Sequence, residues 1–125
     1  MDYPMTMTPT YHVKDAYLFV QISGIWTVAA ARELIQEILV TAQNVHRTSV
    51  FLDIRELLPP MDNYVRYLTG VDIAEIWDSK LKVVALAKSQ YVSGFAEKVA
   101  VNGGANFAVF SDFYRAEIWL DEVDH

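Results

Sequence analysis

The chain has 125 residues, a net charge of -6, no cysteine and a hydrophobic fraction of 53%. This length suits one domain that buries roughly two thirds of its unfolded surface without disulfides or a structural metal, so we expect a single domain over residues 1–125. The ten basic residues are scattered, which argues against nucleic acid because phosphate binding needs clustered Lys and Arg. Apolar runs are shorter than the roughly 20 residues of a membrane span, and the start lacks a signal-peptide pattern. We therefore expect a cytoplasmic protein without a transmembrane segment.

The first half of the chain predicts a hairpin, a helix and a buried strand. The segments 11–13 and 17–23, separated by the polar turn Lys14-Asp15, predict a short strand and a longer one in an antiparallel pair, the second closed by Ser23-Gly24. Apolar residues at helical spacing predict a helix from Thr27 to about position 46, with Thr27 as N-cap. The nearly continuous apolar run at 49–54 is typical of a strand that is covered on both faces.

The second half alternates helices and strands. Pro59-Pro60 precede a helical zone at 61–79. Gly70 within this zone is a candidate for a break that divides it into two helices. The segment KVVALA at 82–87 predicts a second buried strand. A helix at 90–101 follows, closed by Asn102-Gly103-Gly104 in a left-handed C-cap. A last strand at 106–110 leads to a helix that Ser111-Asp112 caps and that ends near Val123.

The predicted order of elements is ββαβαβαβα, which defines an α/β fold. Each strand-helix-strand unit is expected to cross over right-handed and to leave parallel strands with helices on the faces of the sheet. We therefore predict one mainly parallel sheet, an N-terminal antiparallel strand at its edge, and about four helices.

An ordered set of segments over 17–120 resembles the STAS domain (sulphate transporter and anti-sigma factor antagonist), and more closely its SpoIIAA-like branch of small stand-alone proteins. No segment is diagnostic alone, and the resemblance lies in their order. The matching features are Gly24 before a helix, VFLDIREL, the tyrosine-bearing helix with Tyr64 and Tyr67, KVVALA, FAEKVAVNGG, FAVFSD, and the terminal Ala116, Trp119 and Leu120.

The resemblance implies a regulatory protein that binds a partner, of the kinase-like or anti-sigma type, near the carboxyl edge of the sheet. In anti-sigma factor antagonists the helix after the central strand starts with Asp-Ser-Ser-Gly or a variant, and a serine there is phosphorylated. This chain has Pro60-Met61-Asp62-Asn63-Tyr64 instead, with no Ser or Thr before Thr69. The acceptor hydroxyl is absent, so control by phosphorylation at this helix is not expected.

Asp53 at the end of a buried strand also resembles the phosphoacceptor of a response-regulator receiver. A receiver needs an acidic pair after the first strand to hold Mg²⁺, a hydroxyl after the fourth strand and a lysine after the fifth, yet these positions are Ser23-Gly24, Lys88 and Ser111. A single carboxylate binds Mg²⁺ poorly. We interpret Asp53 as a structural acceptor that pairs with Arg55 or with backbone amides. His12, His46 and His125 do not group, so the sequence predicts no metal, cofactor or catalytic residues.

Aromatic residues suggest where binding occurs. Trp77 and Trp119 lie on the apolar faces of their helices and are expected in the core. Trp26, in the turn after Gly24, fits either the core or the lining of a pocket or contact surface. Interface anchors are often Trp and Tyr, and open α/β sheets bind ligands at their carboxyl edge. The predicted binding surface at this edge consists of Trp26, Asp53, Arg55, Tyr64, Lys88, Ser89 and Tyr91.

The sequence therefore favours a non-enzymatic binding domain that makes a regulatory protein contact. The alternative is a module for a small apolar or lipid-like molecule, similar to the SEC14-type lipid-binding fold, which the high apolar fraction permits. The sequence leaves open whether the chain is a monomer or a homodimer.

Overall fold

The structure is a computed structural model that describes residues 7–58 and 62–122. Pro59, Pro60, Met61 and Val123, which entered the predictions of element ends, lie outside these ranges. The strands are β1 Thr8–Val13, β2 Leu18–Ile25, β3 Ser49–Leu58, β4 Lys82–Leu86 and β5 Asn106–Phe110. The helices are α1 Val28–Asn44, α2 Asn63–Ile76, α3 Phe95–Asn102 and α4 Phe113–Asp121, and a 3-10 turn covers Ser89–Tyr91.

The five strands form one sheet in the order β1-β2-β3-β4-β5. β1 is antiparallel to β2, and the pairs β2-β3, β3-β4 and β4-β5 are all parallel. The predicted element order, the mainly parallel sheet and the antiparallel strand at its edge are therefore confirmed.

Two apolar layers lie on opposite faces of the sheet, because successive residues of a strand point to opposite sides. In β3, Val50 and Leu52 belong to the larger layer, which includes residues of α1, α2 and α3. Phe51 between them belongs to the smaller layer, which α4 covers through Ala116 and Leu120. The larger layer borders the cavity described below.

Side chains cap three of the helices at their first turns. Thr27 Oγ1 accepts a hydrogen bond from Ala30 N at 3.2 Å, as predicted for α1. Asp62 caps α2, and Asp112 caps α4 as the sequence predicted. These caps satisfy backbone donors that a helix leaves unpaired at its start.

The largest differences between predicted and observed boundaries lie at the start of α3 and the end of β3, and β1 also begins at Thr8 instead of position 11. The third helix begins at Phe95 instead of position 90, because the chain forms the 3-10 turn first and Gly94 then adopts a left-handed φ of 77° before the helix. β3 runs to Leu58, beyond the predicted end at 54, because it continues to pair with β2 as far as Ile25.

Two glycine predictions have different outcomes. Gly104 has a left-handed φ of 107°, and Ala105 N donates to Ala100 O at 3.0 Å, so the predicted left-handed end of α3 is confirmed. Gly70 does not divide α2. A Cβ at Gly70 would lie 2.7 Å from Val99 Cβ, so the absence of a side chain lets α2 and α3 pack closely.

Candidate functional site

A β-bulge sets the direction of the side chains at the carboxyl end of β3. Gln21 pairs with Asp53, whereas the next aligned pair is Ser23 with Glu56, so β3 has an extra residue within this stretch. A bulge changes the direction in which the following side chains point. Asp53 lies directly before the irregularity and Arg55 lies within it.

Asp53 and Arg55 form a close, two-pronged ion pair. Arg55 Nε donates to Asp53 Oδ1 at 2.9 Å and Nη2 donates to Oδ2 at 2.8 Å, while the backbone N of Arg55 donates to Oδ1 at 3.2 Å. The side chain of Asp53 is 3% exposed and that of Arg55 is 48% exposed. Burial by itself raises the pKa of Asp53, but the hydrogen bonds and charge of Arg55 outweigh it, and the pKa is lowered. The carboxylate acts as an internal acceptor, in agreement with the structural interpretation of Asp53.

This ion pair lies on the α4 face of the sheet. Asp53 pairs with Leu86 across the sheet, and Leu86 belongs to the smaller apolar layer together with Phe51. Paired residues on neighbouring strands point to the same face. The pair is thus separated by the sheet from the cavity on the other face.

A cavity of about 140 Å³ lies between the sheet and helices α1, α2 and α3. Three predicted site residues, Trp26, Lys88 and Tyr91, line it. Most of the remaining lining is apolar: Met7, Ile22, Ala31, Leu34, Ile35, Ile38, Leu52, Ile54, Leu57, Ile73, Trp77, Ala85, Ala87, Val92, Ala96, Phe107 and Val109.

Trp26 is partly buried against the larger apolar layer. Its indole Nε1 is fully buried and has no hydrogen-bond partner within residues 7–58 and 62–122. A buried donor without a partner costs on the order of 1–3 kcal/mol. By contrast, Nε1 of Trp77 donates to Ile35 O at 2.9 Å. Trp26 therefore combines both sequence interpretations, since it packs on the core and also lines the cavity.

Three charged side chains border the cavity. Arg66 Nη1 donates to Asn63 Oδ1 at 3.3 Å, and Glu97 Oε1 accepts from Val109 N at 3.1 Å. Lys88 is exposed. Arg66 and Glu97 were missed by the sequence interpretation because each is one charge on an amphipathic helix, which normally faces solvent.

An apolar surface surrounds the carboxyl ends of β2, β3 and β4. Tyr64 is 67% exposed and Tyr67 is 46% exposed in the first turns of α2. We call this the edge surface, and its exposed large apolar residues are Ile25, Val28, Leu58, Tyr64, Tyr67, Val92 and Phe95. The predicted site residue Ser89 is exposed at the same edge.

The structure thus distributes the seven predicted residues over three places. Trp26, Lys88 and Tyr91 meet in the cavity. Tyr64 and Ser89 lie at the exposed edge, and the Asp53–Arg55 pair lies on the opposite face of the sheet. In the described ranges no group of three or more His, Cys, Asp and Glu could hold a metal ion, and no described helix could span a bilayer.

Comparison with solved structures identifies the fold as SpoIIAA-like, so the resemblance to the STAS domain is confirmed at the level of the fold. An anti-sigma factor antagonist from Mycobacterium paratuberculosis superposes with a TM-score of 0.64 at 10% sequence identity, over 98% of this chain and 100% of that chain. A DUF3478-family protein with a SpoIIAA-like fold from Shewanella loihica PV-4 gives 0.58 at 17% identity, over 96% and 98%. A variant of RsbS from Moorella thermoacetica gives 0.55 at 17% identity, over 90% and 93%. Neither a protein-family model nor a curated protein sequence matches the chain.

Proposed function

We propose that this chain is a non-enzymatic, cytoplasmic regulatory domain that docks a protein partner of the kinase-like or anti-sigma type and uses no cofactor. The observation that carries the proposal is the edge surface, where Tyr64 and Tyr67 are exposed in the first turns of α2. Aromatic side chains supply much of the binding energy in protein interfaces. The structural similarity to an anti-sigma factor antagonist and to RsbS supports this class of partner.

Docking is not switched by phosphorylation of α2. Asp62 caps this helix, and its carboxylate accepts from Tyr64 N at 2.7 Å. The first hydroxyl of the Ser/Thr type after it belongs to Thr69, which is buried and donates to Val65 O at 3.0 Å. A kinase therefore finds no accessible serine or threonine at the start of α2.

The docking proposal predicts a loss of affinity when the two tyrosines are removed. The double variant Tyr64→Ala, Tyr67→Ala should bind a purified anti-sigma factor kinase from the same genome about 25-fold more weakly, because losing aromatic anchors costs about 2 kcal/mol. Isothermal titration calorimetry measures the change. Tyr114→Ala is the matched control, because Tyr114 is 76% exposed but lies in the first turn of α4, on the other face of the sheet from α2. The affinity of this control variant for the kinase should stay within about twofold of that of the native protein. Equal losses in both variants would contradict the proposed surface.

The same kinase supplied with ATP should leave the segment from Glu56 to Leu68 unmodified, because this segment contains no serine or threonine. Tryptic mass spectrometry measures the modification, and a known substrate of the kinase serves as the positive control. Phosphate found on this segment, including on Tyr64, would contradict the prediction.

The cavity favours a second candidate function, the binding of a small apolar molecule. Its lining is mostly apolar, and the charged residues Arg66, Lys88 and Glu97 border it. Ligand sites typically combine such an apolar lining with a few placed polar groups.

A further inference from the structure

We infer that the cavity binds a single-chain amphiphile, with its aliphatic tail inside and its anionic headgroup at the mouth beside Lys88 and Arg66. The inference rests on the second candidate function and narrows it to a chemical class. It depends on the apolar interior of the cavity, the position of its mouth and the charges around that mouth.

The interior of the cavity suits an aliphatic chain. Its inner wall consists of buried side chains of the larger apolar layer, among them Ile38, Leu52 and Ile73. The cavity has a volume of about 140 Å³, and an apolar cavity of similar size holds benzene. Because the cavity is open to solvent at one side, a longer chain extends from it toward the mouth. The aliphatic surface that leaves water in the interior supplies the binding energy.

The mouth lies at the carboxyl edge of the sheet. Within the described part of the chain, the exposed residues of the lining all belong to the segment 87–94 between β4 and α3, namely Lys88, Val92, Ser93 and Gly94. The other lining residues are buried or partly buried. This segment follows the carboxyl end of β4 at Leu86, so a ligand enters the cavity beside it.

The charges around the mouth favour an anion. Lys88 is exposed and forms no ion pair with residues 7–58 or 62–122, and Arg66 borders the cavity from the first turn of α2. The acidic residue of the lining, Glu97, accepts a hydrogen bond from Val109 N at 3.1 Å, which stabilises its negative charge. A cationic headgroup would meet two like charges, whereas an anion pairs with them. At an open mouth the headgroup also keeps part of its hydration, which reduces the desolvation cost of a charge.

Three molecules with the same eight-carbon chain test the headgroup: octanoate, 1-octanol and octylammonium. Titrated into ¹⁵N-labelled protein near pH 7, octanoate should bind with a dissociation constant of about 1 mM or tighter. The other two should bind about fivefold more weakly or worse, because their headgroup is neutral or has the opposite charge. The indole N–H signals of Trp26 and Trp77, which line the cavity, should shift. The signal of Trp119, which packs against the smaller layer on the other face of the sheet, is the internal control.

The variant Lys88→Met tests the position of the headgroup, because methionine keeps an unbranched side chain but has no charge. The preference for octanoate over octanol should fall about threefold, while the affinity for octanol should not change. Lys98→Met is the matched control, because Lys98 is exposed in the first turn of α3 but does not line the cavity. This variant should keep the native preference. Dispersed amide spectra establish that both variants are folded.

The outcomes distinguish this inference from the broader candidate function. Equal affinities for the three molecules, with shifts at Trp26 and Trp77, would overturn the anionic class but keep apolar ligand binding. No binding of any of them, or shifts confined to Trp119, would overturn both. A preference for octanoate that Lys88→Met and Lys98→Met reduce equally would overturn the placement of the headgroup. Tighter binding of octyl phosphate than of octanoate would support the anionic class and assign a phosphate headgroup.

Discussion

Replacing Trp77 by alanine is expected to lower the free energy of unfolding by about 3–5 kcal/mol, the range for a large aromatic side chain removed from a core. Trp77 is 2% exposed, its ring centroid lies 6.1 Å from that of Phe107, and its Nε1 donates to Ile35 O at 2.9 Å. The substitution thus removes packing between α1, α2 and β5 and one buried hydrogen bond. Since domains of this size are stable by roughly 5–15 kcal/mol, much of the total stability is lost.

Urea unfolding followed by circular dichroism measures this loss, and Trp119→Ala is the matched control. Trp119 is only partly buried and packs at the margin of the smaller layer, with Lys82 Nζ 4.8 Å from its ring centroid. Its replacement should cost about 1–2 kcal/mol, because less apolar area leaves the core. If Trp77→Ala lowers the free energy of unfolding no more than Trp119→Ala does, the larger apolar layer does not depend on the Trp77 ring.

The strands and helices were predictable because their patterns are local and repeated. The apolar run at 49–54 predicted a strand that is covered on both faces, and Val50 and Phe51 do point into opposite layers. Trp77 was expected in the core from its helical spacing with Ile73, and its burial confirms this. Here the period of the pattern and the tertiary structure agree.

The ends of elements and the geometry of the site were less predictable because they depend on contacts between distant segments. The sequence predicted that α3 begins at Gln90, yet the 3-10 turn and the left-handed Gly94 delay the helix until Phe95. The bulge near Asp53 arises from pairing with β2. A sequence contains no local signal for this bulge. The predicted binding surface joined Asp53 and Arg55 with Trp26, whereas the structure places the ion pair on one face of the sheet and Trp26 on the other.

This placement assigns Arg55 a role in stability that can be measured. Arg55→Met keeps an unbranched side chain but removes the guanidinium. The substitution should lower the free energy of unfolding by about 2 kcal/mol at pH 7. Breaking a fully buried ion pair costs about 3–5 kcal/mol, but Arg55 is 48% exposed, so water reduces the cost. The carboxylate of Asp53 would then be buried with only the backbone N of residue 55 as its remaining partner from this pair.

The effect should depend on pH with a definite sign. In the native protein the pKa of Asp53 is lowered, so its contribution to stability is present above the ordinary pKa of Asp and is lost as the pH falls through the lowered value. In Arg55→Met the largest remaining influence is burial, which raises this pKa. The stabilising form is then the protonated one, and stability is lost as the pH rises through the raised value.

The difference in unfolding free energy between native protein and Arg55→Met should therefore be smaller at pH 3 than at pH 7. Urea unfolding at several pH values measures it. Asp53→Asn provides the control background, because an amide of the same shape does not titrate. In that background the change Arg55→Met should have the same effect at every pH. A difference of equal size at pH 3 and pH 7 in the native background would mean that Arg55 stabilises the bulge through packing alone, without neutralising Asp53.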